Sequence, residues 1–128
     1  MTESYLIVGA SSDIARVIAE KLLQQGKSVT LFGRDVSRLV VLKEKGATVI
    51  AGDALDSESI NLAIETALEN GGGKISGVAH LVGSISIRPP HALKIEDFDE
   101  VIRTNLSSAF LTLSMAGKTM LRNGGGRI

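Results

Sequence analysis

The chain has 128 residues, 44% hydrophobic and 22% charged, the composition of one ordinary globular domain and not of a disordered or fibrous chain. Fourteen Lys and Arg offset fourteen Asp and Glu, so the basic surplus that nucleic acid or an anionic membrane surface demands is missing. There is no cysteine, which removes a disulfide framework, a thiolate zinc site and a thiol nucleophile.

In chain order, Tyr5 to Val8 is a short apolar run that ends in Gly9-Ala-Ser-Ser-Asp. Ile14, Val17, Ile18 and Leu22 then fall at helical spacing, and Gly26 closes the helix. The run Val29 to Phe32 predicts a second strand, which leads through Gly33-Arg34-Asp35 into a helical segment around Val36 to Lys45. The third run, Ala47 to Ala51, stops at Gly52-Asp53. Asp56 or Ser57 then caps a helix with Ile60, Ile64, Ala67 and Leu68 on one face, ended by Gly71 to Gly73.

Gly77 to Val82 is apolar at nearly every position, the pattern of a strand covered on both faces. After a loop with Pro89 and Pro90, a long helix is predicted from about Ile95 to about Arg122. Its core stripe is read as Ile95, Phe98, Ile102, Leu106, Phe110, Leu113 and Met120, and Arg127-Ile128 are the first residues of a fifth strand. Strand and helix alternating in this way predict one α/β domain over residues 1–128. The expected architecture is a three-layer sandwich with a parallel sheet of four to five strands.

The longest charge-free apolar stretches, Ile75 to Ile87 and Thr104 to Gly117, are shorter than the ~18–20 residues a membrane span requires. Met1 to Ala10 lacks the positive charge of a signal peptide, and Asp13 and Arg16 interrupt the apolar run too early. A soluble, cytoplasmic chain with no membrane partner and no nucleic-acid partner is the expectation.

A helix that starts directly after the first strand of such a sheet offers free N–H groups and a positive dipole end to an anion. In the turn Gly9-Ala10-Ser11-Ser12-Asp13-Ile14-Ala15, Gly9 permits the sharp bend, Ala15 allows close helix-strand packing, and Ser11 and Ser12 offer hydroxyls to a ribose or phosphate. The plainer reading is a small-residue turn in which Ser12 or Asp13 caps the helix.

This turn resembles the Gly-x-x-x-Gly-x-Gly segment of the short-chain dehydrogenase/reductase family. Three further landmarks come in that family's order: Gly52-Asp53, His80-Leu-Val-Gly83 and Asn105-Leu106. The resemblance covers the whole chain but only the first half of a typical member, so the sequence is read as a truncated cofactor-binding half, and it implies a Rossmann-type sheet in the order 3-2-1-4(-5). It implies that Gly9, Ser11, Ser12 and Ile14 wrap the adenosine ribose and pyrophosphate, that Asp53 and Ala54 contact the adenine, and that Gly83 lets backbone approach the nicotinamide ribose. Arg34 stands where NAD-preferring members tend to carry an acid. Its guanidinium suits a 2'-phosphate, which favours NADP over NAD, with a solvated surface arginine as the bland alternative.

The departures are Asp13 for the second glycine, and His80, Leu81 and Val82 in place of two asparagines and an alanine. Asp13 is expected to point away from the cofactor. His80, in an apolar strand, reads as a hydrogen-bonded core residue, with a catalytic base as the rival reading. In relatives a hydride moves between nicotinamide and a carbonyl or alcohol carbon, with a serine and a Tyr-x-x-x-Lys pair beyond the fifth strand and an asparagine that holds a relay water. Asn105 matches that asparagine and is the catalytic candidate. The only tyrosine, Tyr5, lies in the first strand, and His91 reads as a loop residue. No metal site is expected.

The resemblance therefore implies a dinucleotide cofactor, an unidentified small carbonyl or alcohol substrate, and little activity from these residues alone. A homo-oligomer is expected too, built by helix packing over Val101, Ser108, Ala109, Leu111 and Thr112, by pairing at the Val78 to Val82 edge, or by exchange of elements. The competing reading is a non-catalytic Rossmann scaffold that binds or assembles.

Overall fold

A computed structural model describes residues 2–128. Four strands, β1 (Ser4–Val8), β2 (Ser28–Gly33), β3 (Thr48–Ala51) and β4 (Gly77–His80), form a parallel sheet in the order β3-β2-β1-β4. The helices are α1 (Asp13–Gln24), α2 (Val40–Glu44, entered by a 3-10 turn Val36–Leu39), α3 (Ser57–Asn70), α4 (Ile95–Ile102) and α5 (Ser108–Arg122). No helix among the described residues is long and apolar enough to cross a membrane.

The two sides of the sheet follow from the alternation along β1. Ile7 points to one face and packs with Ala15 and Ala19 of α1, Val29 and Leu31 of β2, and Leu39 and Leu42. Leu6 and Val8 point to the other and pack with Phe32, Val78, Ile60 and Ile64 of α3, and Ala116 and Met120 of α5. Helices on both faces give the three layers expected.

Local chemistry sets the helix limits. Ser12 caps α1 by accepting the Ala15 N–H at 3.1 Å, and Asp13 stands in the first turn, where an acid complements the dipole. At the far end Gly26, with φ of +73°, lets the Lys27 N–H return to the Leu22 carbonyl. Asp56 caps α3 by accepting the Glu58 N–H at 3.3 Å.

Two expectations about β4 need correction. β4 ends at His80 and not at Val82, and it is not covered on both faces, since Ala79 and His80 are only half-buried. The expected fifth strand is present as a single parallel bridge, Gly77 to Arg127, in which the Val78 N–H donates to the Arg127 carbonyl at 2.9 Å. Part of the edge read as open is therefore paired.

The largest correction concerns the long helix. Ile95, Phe98, Ile102, Leu106, Phe110 and Leu113, read as its core stripe, are all exposed, and Met120 alone of that set is buried. The face on the sheet is Ser108, Thr112, Ala116 and Met120, each four residues from the next. Ser108 and Thr112 thus lie against the core and not on the outer face assigned to them. Small side chains let the helix approach the sheet closely, and the large ones are left outside.

The helix also changes pitch. Arg103–Ser107 form a π-turn in which the Ser108 N–H reaches the Arg103 carbonyl five residues back. The Thr104 carbonyl, deprived of that N–H, accepts the Ser108 hydroxyl, and the Val101 carbonyl accepts the Asn105 side-chain amide at 2.8 Å.

Candidate functional site

At the C-terminal ends of the strands the chain encloses an open cleft of about 530 Å³. Its position between β1 and β4, where the strand order reverses, is the general ligand position of open α/β sheets. Gly9, Ser11 and Ser12 line it from the β1-α1 turn, Arg34, Asp35 and Arg38 from the end of β2, and Asp53 and Ala54 from the end of β3. Val82, Gly83 and Ser84 follow β4, and Glu100, Thr104 and Ser108 face them from the long helix.

Backbone geometry demands glycine at the mouth. Gly9 has φ of +85°, and a Cβ there would lie 2.7 Å from the Leu81 carbonyl carbon. The turn after β1 and the segment after β4 therefore touch through backbone, which only glycine permits. A Cβ on Gly83 would stand 2.9 Å from Asn105 Oδ1.

The α1 end has the character of an anion site. The N–H groups of Asp13 and Ile14 find no acceptor among the described residues, and Arg34 and Arg38 form no ion pair there. Arg38 Nη1 donates to the Ser11 carbonyl at 3.4 Å, which holds one guanidinium beside the turn. Asp35 accepts from both the N–H and the hydroxyl of Ser37, and the hydroxyl bond chiefly holds its carboxyl below the usual range. Asp53 is likewise committed locally, accepting the Leu55 N–H at 2.9 Å.

The opposite end is held by two polar clamps. Asn105 uses its whole amide: Oδ1 accepts the Ser84 N–H at 3.1 Å, and Nδ2 reaches the Ser84 carbonyl at 2.9 Å as well as the Val101 carbonyl. It thereby pairs with Ser84 as a neighbouring strand would. His80 Nε2 lies 3.0 Å from Ser108 Oγ, and burial pushes the imidazole below its ordinary value.

Of the residues singled out in the sequence, Gly9, Ser11, Ser12, Arg34, Asp53, Ala54 and Gly83 meet around this one cleft. Ile14 does not: its side chain is 67% exposed, and only its backbone N–H belongs to the turn. Asn105 stands behind the lining, acting on it through Ser84. Asp13 is exposed and outside the lining, and His91 is exposed in a 3-10 turn, Pro90–Ala92. Tyr5 is away from the cleft, with its hydroxyl donating to Glu3 at 3.0 Å. No group of three or more His, Cys, Asp or Glu is placed to hold a metal among the described residues.

Sequence reasoning missed Arg38, Glu100 and Thr104. Arg38 reaches the cleft because the chain folds back in a 3-10 turn after β2, and the only signal was its place four residues beyond Arg34. Glu100, Thr104 and Ser108 recur at intervals of four along the long helix, a polar stripe hidden beside the larger apolar one.

Comparison with known proteins places this geometry. A family model described as short chain dehydrogenase matches residues 3–128. An uncharacterized oxidoreductase of Mycobacterium tuberculosis is 32% identical over 97% of this chain and 47% of its own length. The D-threitol dehydrogenase of Mycolicibacterium smegmatis is 29% identical over 96% of this chain and 49% of its own. Among solved structures, an actinorhodin polyketide ketoreductase variant with NADPH superposes with a TM-score of 0.87 at 27% identity, over 99% of this chain and 51% of that one. The chain spans about half the length of the curated relatives it matches.

Proposed function

The chain belongs to the short-chain dehydrogenase/reductase family, and on that premise we propose that its cleft binds a nicotinamide dinucleotide, NADP in preference to NAD, for hydride exchange with a small carbonyl or alcohol. The observation that carries this reading is the convergence of the free N–H groups of the α1 turn with Arg34 and Arg38 at one end of the cleft. Such a donor set fits a pyrophosphate and a ribose phosphate. The related ketoreductase solved with NADPH supports it.

When bound, the nicotinamide supplies or accepts the hydride. The residues of this chain bind and orient. Ser11 to Ile14 hold the pyrophosphate by backbone N–H groups, while Gly9, whose own N–H donates to the Phe32 carbonyl at 2.9 Å, shapes the turn and Ser12 keeps the helix start in place. Arg34 and Arg38 take the 2'-phosphate, and Asp53 and Ala54 flank the adenine. Gly83 and Ser84, the latter fixed by the Asn105 side chain, set the nicotinamide end. Tyr5 is committed to Glu3 at the side away from the cleft, and the family resemblance implies a proton donor in a Tyr-x-x-x-Lys pair, a pattern these residues do not contain. A cytoplasmic setting fits this cofactor use.

The exposed stripe Phe98, Ile102, Leu106, Phe110 and Leu113 supports self-association, with a second copy covering the long helix. Of the face read from the sequence, Ser108 and Thr112 are buried and unavailable to a second copy.

The test is calorimetric titration of the purified chain with NADPH and NADH in parallel. Tighter NADPH binding is expected, and Arg34→Ala should remove most of the difference, about tenfold for one charge-assisted contact to phosphate. Equal affinity for both cofactors, unaltered in Arg34→Ala, would refute the NADP preference.

A further inference from the structure

We infer that His80 is a positioning residue for the dinucleotide: by donating its Nε2–H to Ser108 it fastens the π-turn of the long helix to the end of β4 and sets the width of the cleft there. The inference rests on the dinucleotide reading above.

It follows from counting protons. Ser108 is fully buried, and its hydroxyl has one proton. The π-turn sends the Ser108 N–H to Arg103 and leaves the Thr104 carbonyl to be satisfied by that hydroxyl. With its proton spent, Ser108 Oγ can only accept from His80. In a neutral ring the proton is then on Nε2. Partial burial, which lowers the basicity of the ring, keeps it neutral near pH 7.

The bond joins the two walls of the cleft. His80 runs directly into Leu81, Val82, Gly83 and Ser84, which line one side, while Glu100, Thr104 and Ser108 line the other. The adenine end is built on β2 and β3, with Arg34, Asp53 and Ala54, and does not depend on it. Loss of the bond should therefore be felt by the nicotinamide half of the cofactor and not by the adenosine half.

The whole chain and its variants are titrated with NADPH and, separately, with adenosine 2',5'-bisphosphate. His80→Ala should weaken NADPH about tenfold, the effect of one lost hydrogen bond in a partly buried network, and leave the bisphosphate unchanged. Ser108→Ala should do the same. His80→Gln, whose amide brings a donor near the place of Nε2, should restore most of the affinity. His80→Ala binding NADPH as the wild type does, or losing both ligands alike, would overturn the inference. Should His80→Ala not fold, the imidazole nitrogen spectrum of the wild type decides: the Nε2-protonated tautomer is expected, and a proton on Nδ1 overturns it. A wild type that binds neither ligand fails the dinucleotide reading itself, and the positioning role with it, a result distinct from any difference among variants.

Discussion

Gly9 joins conformation to contact in one residue. At φ of +85° an L side chain is strained by roughly 1–3 kcal/mol, and its Cβ would also meet the Leu81 backbone. Gly9→Ala should therefore lower the unfolding free energy by at least that amount and weaken dinucleotide binding, measured by urea denaturation and calorimetry. His80 gives a pH dependence of known sign. Its folded-state pKa is depressed by burial, so between that value and the unfolded value near 6.5 the unfolded chain holds more protons. The stability it contributes is present above the unfolded pKa and is lost as pH falls through the folded one. Urea midpoints should thus drop more between pH 7.5 and 5 for the wild type than for His80→Gln. Gly9 and the capping serine were legible because a turn is local. Arg38 was not, because its nearness to Ser11 is a tertiary fact made by the fold-back after β2.

Elements were legible in kind and order, but the long helix was legible only in part. A hydrophobic stripe marks a helix and its phase without saying which side meets the sheet. Here the contact is made by Ser108, Thr112, Ala116 and Met120, a small-residue face that hydropathy ranks below Phe98, Phe110 and Leu113. The π-turn adds to the difficulty, since one extra residue rotates everything after it by about 100°. The assignment has a direct consequence. Ala116→Leu, at 0% exposure, should destabilise by about 1–3 kcal/mol through overpacking. Phe110→Ser should leave thermal stability within about 0.5 kcal/mol and reduce the mass seen by light scattering. Sensitivity at Phe110 with tolerance at Ala116 would reverse the two faces.

At the scale of the molecule, the parallel order β3-β2-β1-β4 places the carboxyl ends of all four strands under one cleft, which is why residues as distant as Ser11, Arg34, Asp53 and Gly83 meet. The layers and the parallel sense were readable from the alternation of strands and helices and the order from the family resemblance, and with them the end of the sheet where a ligand binds. The lining supplied by the long helix was not readable, because it depends on which face turns inward. The central claim is that this cleft takes a nicotinamide dinucleotide. The most direct measurement is a titration of isotope-labelled chain with NADPH, followed through backbone amide shifts. Saturable shifts concentrated at Gly9, Ser11 to Ile14, Arg34, Asp53 and Gly83 to Ser84 are expected. Absence of shifts at saturating cofactor, or shifts centred on the exposed face of the long helix, would contradict the account.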